Sequence, residues 1–235
     1  MPDEVKFKFL NREAGLIAES LTSGLENLRK VSRDQSFYYQ SFYSLSIGLE
    51  RLMKLIIYLN NPENDLRSFG HDLVVLSANI GISPAPNSIE NKILIFLNSF
   101  AKGKRYCIID FLSSGNADDL GNEPIIKFYN DVIKEVLSIH PARWVWLPPN
   151  VDFALVRHTS EDLTGLNSLY DLILHSQIID HASKYCVMYA GRLLQPFLVK
   201  LSEHGNVNDN PYFSEHFRFL IQPDPYFLNR KTFRS

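Results

Sequence analysis

Residues 37–76 constrain the fold of this chain more than any other stretch. From residue 35 to 60 the apolar side chains recur at helical spacing, so they form a wide stripe along one side of a helix. The stripe consists of Phe42, Leu45, Leu49, Leu52, Met53, Ile56 and Leu59. Pro62 ends this helix, because proline disfavours helical geometry in the residue before it. The stretch therefore predicts a long helix with one buried face.

The remainder of the chain shows the same helical period. Further helices are predicted over residues 13–30, 69–80, 88–112, 123–139, 161–174 and 178–202. Pro196 should kink the last of these helices or begin a new one. The tail from residue 211 should hold one short helix, and no alternating strand pattern of useful length occurs. We therefore predict an all-α protein of about seven helices.

Residues 141–158 divide the predicted helices into two groups. This segment contains both tryptophans and three prolines, which indicates an ordered aromatic connector. We expect a helical bundle over residues 1–140 and a C-terminal helical extension over 141–235 packed on it. The two could also form one continuous domain.

Composition limits the possible functions. The net charge is −2 and the pI is near 6.4, so any nucleic-acid site would have to be a local patch. Cys107 and Cys186 lie in apolar helical patterns, as reduced thiols of a cytoplasmic protein do. The first residues are charged and lack a signal-peptide pattern, and no 18-residue apolar run predicts a membrane span.

Two charged side chains are placed unusually. Glu50 falls at the edge of the apolar stripe, and Arg105 falls within the apolar face of the helix predicted over 88–112. An unpaired buried charge is very costly, so we predict that Glu50 and Arg105 form an ion pair across the bundle. Alternatively, both belong to a polar site shared with His71 and Tyr106. Lys54, four residues after Glu50, is expected to pair with it along the helix.

The sequence Gly70-His71-Asp72-Leu73 opens the next predicted helix. Together with Gly48, Glu50 and Lys54 before it, and Arg105 and Tyr106 after it, this segment resembles the HEPN-like superfamily of prokaryotic helical domains. The resemblance covers roughly residues 13–112. It implies an antiparallel helical bundle, often a homodimer, of the kind found in toxin–antitoxin and phage-defence systems.

Catalytic members of that superfamily are metal-independent RNA endonucleases that use an arginine followed by a histidine. The comparable pair here is Arg67 and His71, with three residues between them, one fewer than usual. Histidine suits the proton transfer and arginine suits the phosphate. His71 could instead be a structural residue that hydrogen-bonds Glu50 or nearby backbone, or a ligand-binding residue. Arg67 could be a solvated loop residue.

Two functional hypotheses follow. The first is a non-catalytic module that binds RNA, a nucleotide or a protein partner such as an antitoxin. The second is an RNA endonuclease using Arg67 and His71. No metal or cofactor is expected, since HExxH and CxxC motifs do not occur and His175 and His181 are six positions apart. The aromatic and basic tail could stack on nucleic-acid bases, or its aromatic residues could dock on the bundle or across a dimer.

Overall fold

The computed structural model describes residues 3–103, 123–142, 169–205, 207 and 210–233, with the backbone alone for residues 169–175. Within these ranges the chain forms eight helices and no strand, which confirms the all-α prediction. The helices are α1 (Asp3–Leu28), α2 (Ser36–Asn60), α3 (Leu73–Ile80), α4 (Ile89–Lys102), α5 (Pro124–Phe128, a π-helical turn Tyr129–Ile133, and Lys134–Ile139), α6 (Leu169–Ser202), α7 (Phe213–Phe217) and α8 (Asp224–Asn229).

Helices α1 and α2 pack against each other in antiparallel orientation at very short range. Gly24 of α1 faces Leu45 of α2, and Gly48 of α2 faces Leu21 of α1. A Cβ atom at Gly24 would lie 2.6 Å from Cγ of Leu45, so only glycine allows this approach. The Ser41 hydroxyl also donates a hydrogen bond of 2.8 Å to the carbonyl of Gly24.

Helix α6 is the central element of the core. It contacts α1, α2, α4, α5, α7 and α8. Several of its apolar side chains are fully buried, among them Val187, Phe197, Leu198 and Leu201. Residues from both predicted units thus belong to one hydrophobic core. The domain boundary placed at residue 140 stays a prediction.

The tail contributes to this core through phenylalanines. Phe217, Phe227 and Phe233 are fully buried, which confirms for these residues that the tail aromatics dock on the bundle. The ring of Phe227 lies on Gly191 of α6, where a Cβ atom would be 2.8 Å from it. The tail forms two short helices, α7 and α8, rather than the one predicted.

Three helix boundaries differ from the sequence prediction. Helix α1 is already formed at Asp3, the first residue described, rather than from residue 13; Asp3 and Glu4 favour the start of a helix although the apolar stripe begins later. Helix α3 begins at Leu73 rather than at residue 69, because Asp72 caps it. The break expected at residues 175–177 is absent, since α6 is continuous and its polar residues do not interrupt it.

Two further predictions concern Pro196 and the length of the helix predicted over 88–112. Pro196 lies inside α6, and the helix continues through it to Ser202. The helix predicted over 88–112 ends at Lys102, followed by Gly103, which favours a helix end. Its predicted later part lies outside the described residues. In the part of the chain that the structure describes, no helix is both long and apolar enough to cross a membrane.

Candidate functional site

The Glu50 cluster comprises Glu50, Lys54 and His71. Glu50 and Lys54 lie one turn apart on α2, and the Glu50 residue is only 8% exposed. The Lys54 ammonium donates to Oε1 of Glu50 at 2.9 Å and to the carbonyl of Gly70 at 2.7 Å. Lys54 therefore fastens the loop that precedes α3 to the surface of α2.

His71 completes the cluster from that loop. Its Nδ1 atom lies 3.0 Å from Oε1 and 2.9 Å from Oε2 of Glu50, while its side chain is 61% exposed. With the Nδ1–H donated to the carboxylate, the second ring nitrogen, Nε2, is left without a hydrogen-bond partner among the described residues. Glu50 therefore fixes the orientation of a largely exposed imidazole.

The backbone of the loop consists of consecutive turns. Asp65 accepts hydrogen bonds from the amide of Arg67 at 3.0 Å and, through its carbonyl, from the hydroxyl of Ser68 at 2.6 Å. Gly70 has a φ of 54°, a left-handed conformation that glycine adopts without steric cost. This turn brings His71 back towards α2.

Asp72 joins the loop to α3 and α4. Its carboxylate caps α3 by accepting from the amides of Val74 at 3.2 Å and Val75 at 3.1 Å. The same carboxylate pairs with the Lys102 ammonium at 2.5 Å. The side chain of Asn98 accepts a 2.8 Å hydrogen bond from the amide of Leu73. The end of α4 therefore holds the start of α3 in place beside the Glu50 cluster.

The side-chain carboxyl groups of Glu50 and Asp72 both favour the ionised form. Burial raises the pKa of Glu50, but hydrogen bonds and positive charge from Lys54 and His71 outweigh it, so the pKa lies below its ordinary value. The hydrogen bond from Lys102 lowers the pKa of Asp72, despite the opposing effect of its partial burial. Two ionised carboxylates at neutral pH are the result.

The structure brings together three of the residues singled out from sequence. Glu50, Lys54 and His71 are in direct contact. Arg67 lies on the exposed loop, and its guanidinium makes no ion pair or hydrogen bond within the described ranges. Arg105 and Tyr106 lie outside those ranges, so the pairing of Glu50 with Arg105 stays a prediction.

His71 lies directly before the N-cap of α3 rather than inside the first turn, where the helix predicted from residue 69 placed it. His71 precedes Asp72, and the Asp72 carboxylate already occupies the first free amides of α3. Those amides are consequently not open to a phosphate. Sequence analysis named Asp72 only as part of the resemblance and did not predict its capping role, and it did not single out Asn98 or Lys102. An aspartate directly before an apolar run was a readable capping signal, whereas the contacts with α4 depend on tertiary structure.

The Glu50 cluster can bind hydrogen-bonding ligands or transfer a proton, because a carboxylate-held imidazole does both. Among the described residues, no group of three or more His, Cys, Asp or Glu side chains could hold a metal ion. Comparison of the chain with protein-family models, with curated proteins and with solved structures gave no match.

Proposed function

We propose that the chain is a non-catalytic, HEPN-like helical module that binds RNA at the surface around His71. One observation carries this proposal: Glu50 binds Nδ1 of the His71 imidazole, while the His71 side chain remains 61% exposed. A side chain fixed before binding loses less conformational freedom when a ligand arrives. Arg67, on the same loop, supplies a guanidinium suited to phosphate.

The contacts of Glu50 favour a structural role for this carboxylate over a catalytic one. Lys54 and His71 share its carboxylate, so both oxygens are used in holding the loop on α2. The neighbouring carboxylates Glu63 and Asp65 limit the positive potential of the loop. About one phosphate contact, made by Arg67, is expected, with a slope of log affinity against log salt concentration near −0.7 for single-stranded RNA.

By the same resemblance, we propose a cytoplasmic role in a prokaryotic defence or toxin–antitoxin system. The module would act as a homodimer and engage a protein partner such as an antitoxin. Light scattering during size-exclusion chromatography tests the dimer, since a monomeric mass at micromolar concentration would contradict it.

Fluorescence anisotropy with labelled single-stranded RNA tests the binding proposal. His71→Ala and Arg67→Ala should each weaken binding several-fold. Arg33→Ala is the matched control, because Arg33 is an exposed arginine before the start of α2, at the opposite end of that helix from the loop. Absence of RNA binding by the unmodified protein, or equal losses in all three variants, would contradict the proposal.

A metal-independent RNA endonuclease using Arg67 and His71 is the second candidate. The Nδ1 contact with Glu50 favours it, because a carboxylate that orients one ring nitrogen leaves the other to act as base or acid. Total RNA incubated in EDTA with the unmodified protein and with His71→Ala tests this. Cleavage by both or by neither excludes the nuclease, and cleavage by the unmodified protein alone excludes the non-catalytic module.

A further inference from the structure

His140, the residue directly after the end of α5, contacts three residues of α6. His181 Nε2 lies 2.9 Å from the carbonyl oxygen of His140. The ring of Tyr185 stacks flat on the imidazole, with the centroids 3.9 Å apart and the planes at 10°. The Tyr189 hydroxyl lies 3.0 Å from Nε2 of His140. These contacts follow one another at single-turn spacing along α6 and together secure the end of α5.

Charged groups surround this contact on several elements. The guanidinium of Arg192 on α6 lies 5.1 Å from the centre of the Tyr189 ring. Asp224 of α8 binds Arg192 through two hydrogen bonds, at 2.9 and 2.5 Å, and Glu90 of α4 lies 3.8 Å from it. Both carboxylates are therefore engaged by Arg192.

On α5 itself, the preceding turn carries two further charges. Glu135 is paired with Lys92 of α4. Lys134 is exposed and lies over the ring of Tyr129 at 5.8 Å from its centroid. Glu90 of α4 and Glu135 of α5 are therefore both paired with other cations, and neither carboxylate is left to compensate a positive charge on His140.

We infer that His140 is a pH-sensitive latch, whose neutral ring holds the end of α5 on α6 and whose protonation releases it. When Nδ1 carries the proton, Nε2 of the neutral ring accepts from the Tyr189 hydroxyl, whereas protonation makes Nε2 a donor and reverses the direction of this hydrogen bond. Protonation would also place a positive charge near His181 and Arg192. Stacking on Tyr185 acts in the opposite direction, since an aromatic face attracts a cation.

The direction of titration agrees with a latch that opens in acid. Burial, followed by the charges of His181 and Arg192, lowers the pKa of His140. Burial raises the pKa of Tyr189, which therefore keeps the proton that it donates. For a histidine with a lowered folded-state pKa, the contact is at full strength above the unfolded pKa of about 6.5. Its contribution falls as pH drops from there towards the folded-state pKa.

Amide hydrogen exchange followed by mass spectrometry tests the latch in the full chain. Exchange of residues 134–142 is compared with that of residues 45–57 in α2, at pH 7.5 and 5.5, after correction for intrinsic rates. The acidic condition should accelerate exchange in 134–142 several-fold while leaving α2 unchanged. His140→Gln retains a hydrogen-bond acceptor but does not titrate, so it should remove this acceleration.

Two variants make the test specific. Tyr189→Phe should loosen residues 134–142 already at pH 7.5, because it removes the hydroxyl donor. His204→Gln is the matched control, since burial also lowers the pKa of His204 but it lies beyond α6. It should keep the acid response of the unmodified protein. The latch is refuted if His140→Gln keeps that response, if His204→Gln loses it, or if α2 and α5 loosen together.

Discussion

His71 and Glu50 belong to different elements of the fold, yet Nδ1 of His71 lies 2.9 Å from Oε2 of the Glu50 carboxylate. This contact joins the exposed loop before α3 to the buried edge of α2. Lys54 reinforces it by binding both Glu50 and the backbone of Gly70. The position of the loop before α3, and of Arg67 on that loop, therefore depends on the Glu50 carboxylate.

Replacing that carboxylate should destabilise the fold. Glu50→Gln weakens two charge-assisted hydrogen bonds at a mostly buried position, and we expect a loss of about 1–3 kcal/mol in the free energy of unfolding. Glu13→Gln is the control, because Glu13 binds Arg51 through two 2.7 Å contacts but both side chains are about one-third exposed. It should cost at most about 1 kcal/mol. Urea denaturation at pH 7 measures both, and an equal or larger loss for Glu13→Gln would contradict the prediction.

The contribution of Glu50 should depend on pH in a defined direction. Its pKa in the folded protein lies below its ordinary value, so the unfolded chain takes up the proton first as pH falls. The stabilisation is complete above the unfolded pKa of about 4.3 and is lost as pH falls through the folded-state pKa. The difference in unfolding free energy between the unmodified protein and Glu50→Gln should therefore shrink between pH 6 and pH 3. A constant difference over that range would be the contrary result.

Glycine at position 24 should be essential for α1–α2 packing. Alanine normally stabilises a helix by up to about 1 kcal/mol relative to glycine. At Gly24, however, the added Cβ would meet Leu45 at 2.6 Å, and overpacking of this kind costs about 1–3 kcal/mol. Gly15→Ala is the control on the same helix, since its nearest neighbour is 4.0 Å away. Thermal unfolding should show a lower Tm for Gly24→Ala and an unchanged or higher Tm for Gly15→Ala.

The left-handed turn at Gly70 should also resist substitution. Gly70→Ala meets no neighbouring atom within 4 Å, so its cost of about 1–2 kcal/mol comes from backbone strain at φ 54°. Gly15, which lies inside α1 with no neighbour nearer than 4.0 Å, should accept alanine without measurable loss. Equal unfolding free energies for the two variants would show that the turn carries no strain.

Phe227 should be among the most sensitive residues of the tail. Its fully buried ring lies on Gly191, and Phe227→Ala should leave a cavity costing about 3–5 kcal/mol. Phe219, a half-buried residue of the same tail, should lose much less on the same change. Chemical denaturation distinguishes the two, and comparable losses would contradict the packing.

The long helices were predictable from the helical spacing of apolar residues along the chain. The position of Glu50 at the edge of the apolar stripe was predictable in the same way, from the angular placement of residues along α2. The start of α1 was not, since its first turns are charged and exposed. The continuity of α6 was not predictable, because the polar residues 175–177 interrupt its apolar pattern although the helix runs through them. The partners of Glu50 and Asp72 depend on how α2, α3 and α4 meet, and helical periodicity does not encode that arrangement.

The backbone amide of Phe233 donates to the buried carboxylate of Glu26, across 207 positions of sequence. During synthesis at about 5–20 residues per second, Glu26 is made roughly 10–40 seconds before the amide that binds it. For most of that interval α1 lacks its contacts with α7, which ends at the buried Phe217. The nascent chain should therefore present an apolar surface to ribosome-associated chaperones, and complete its core only after most of its length has been translated.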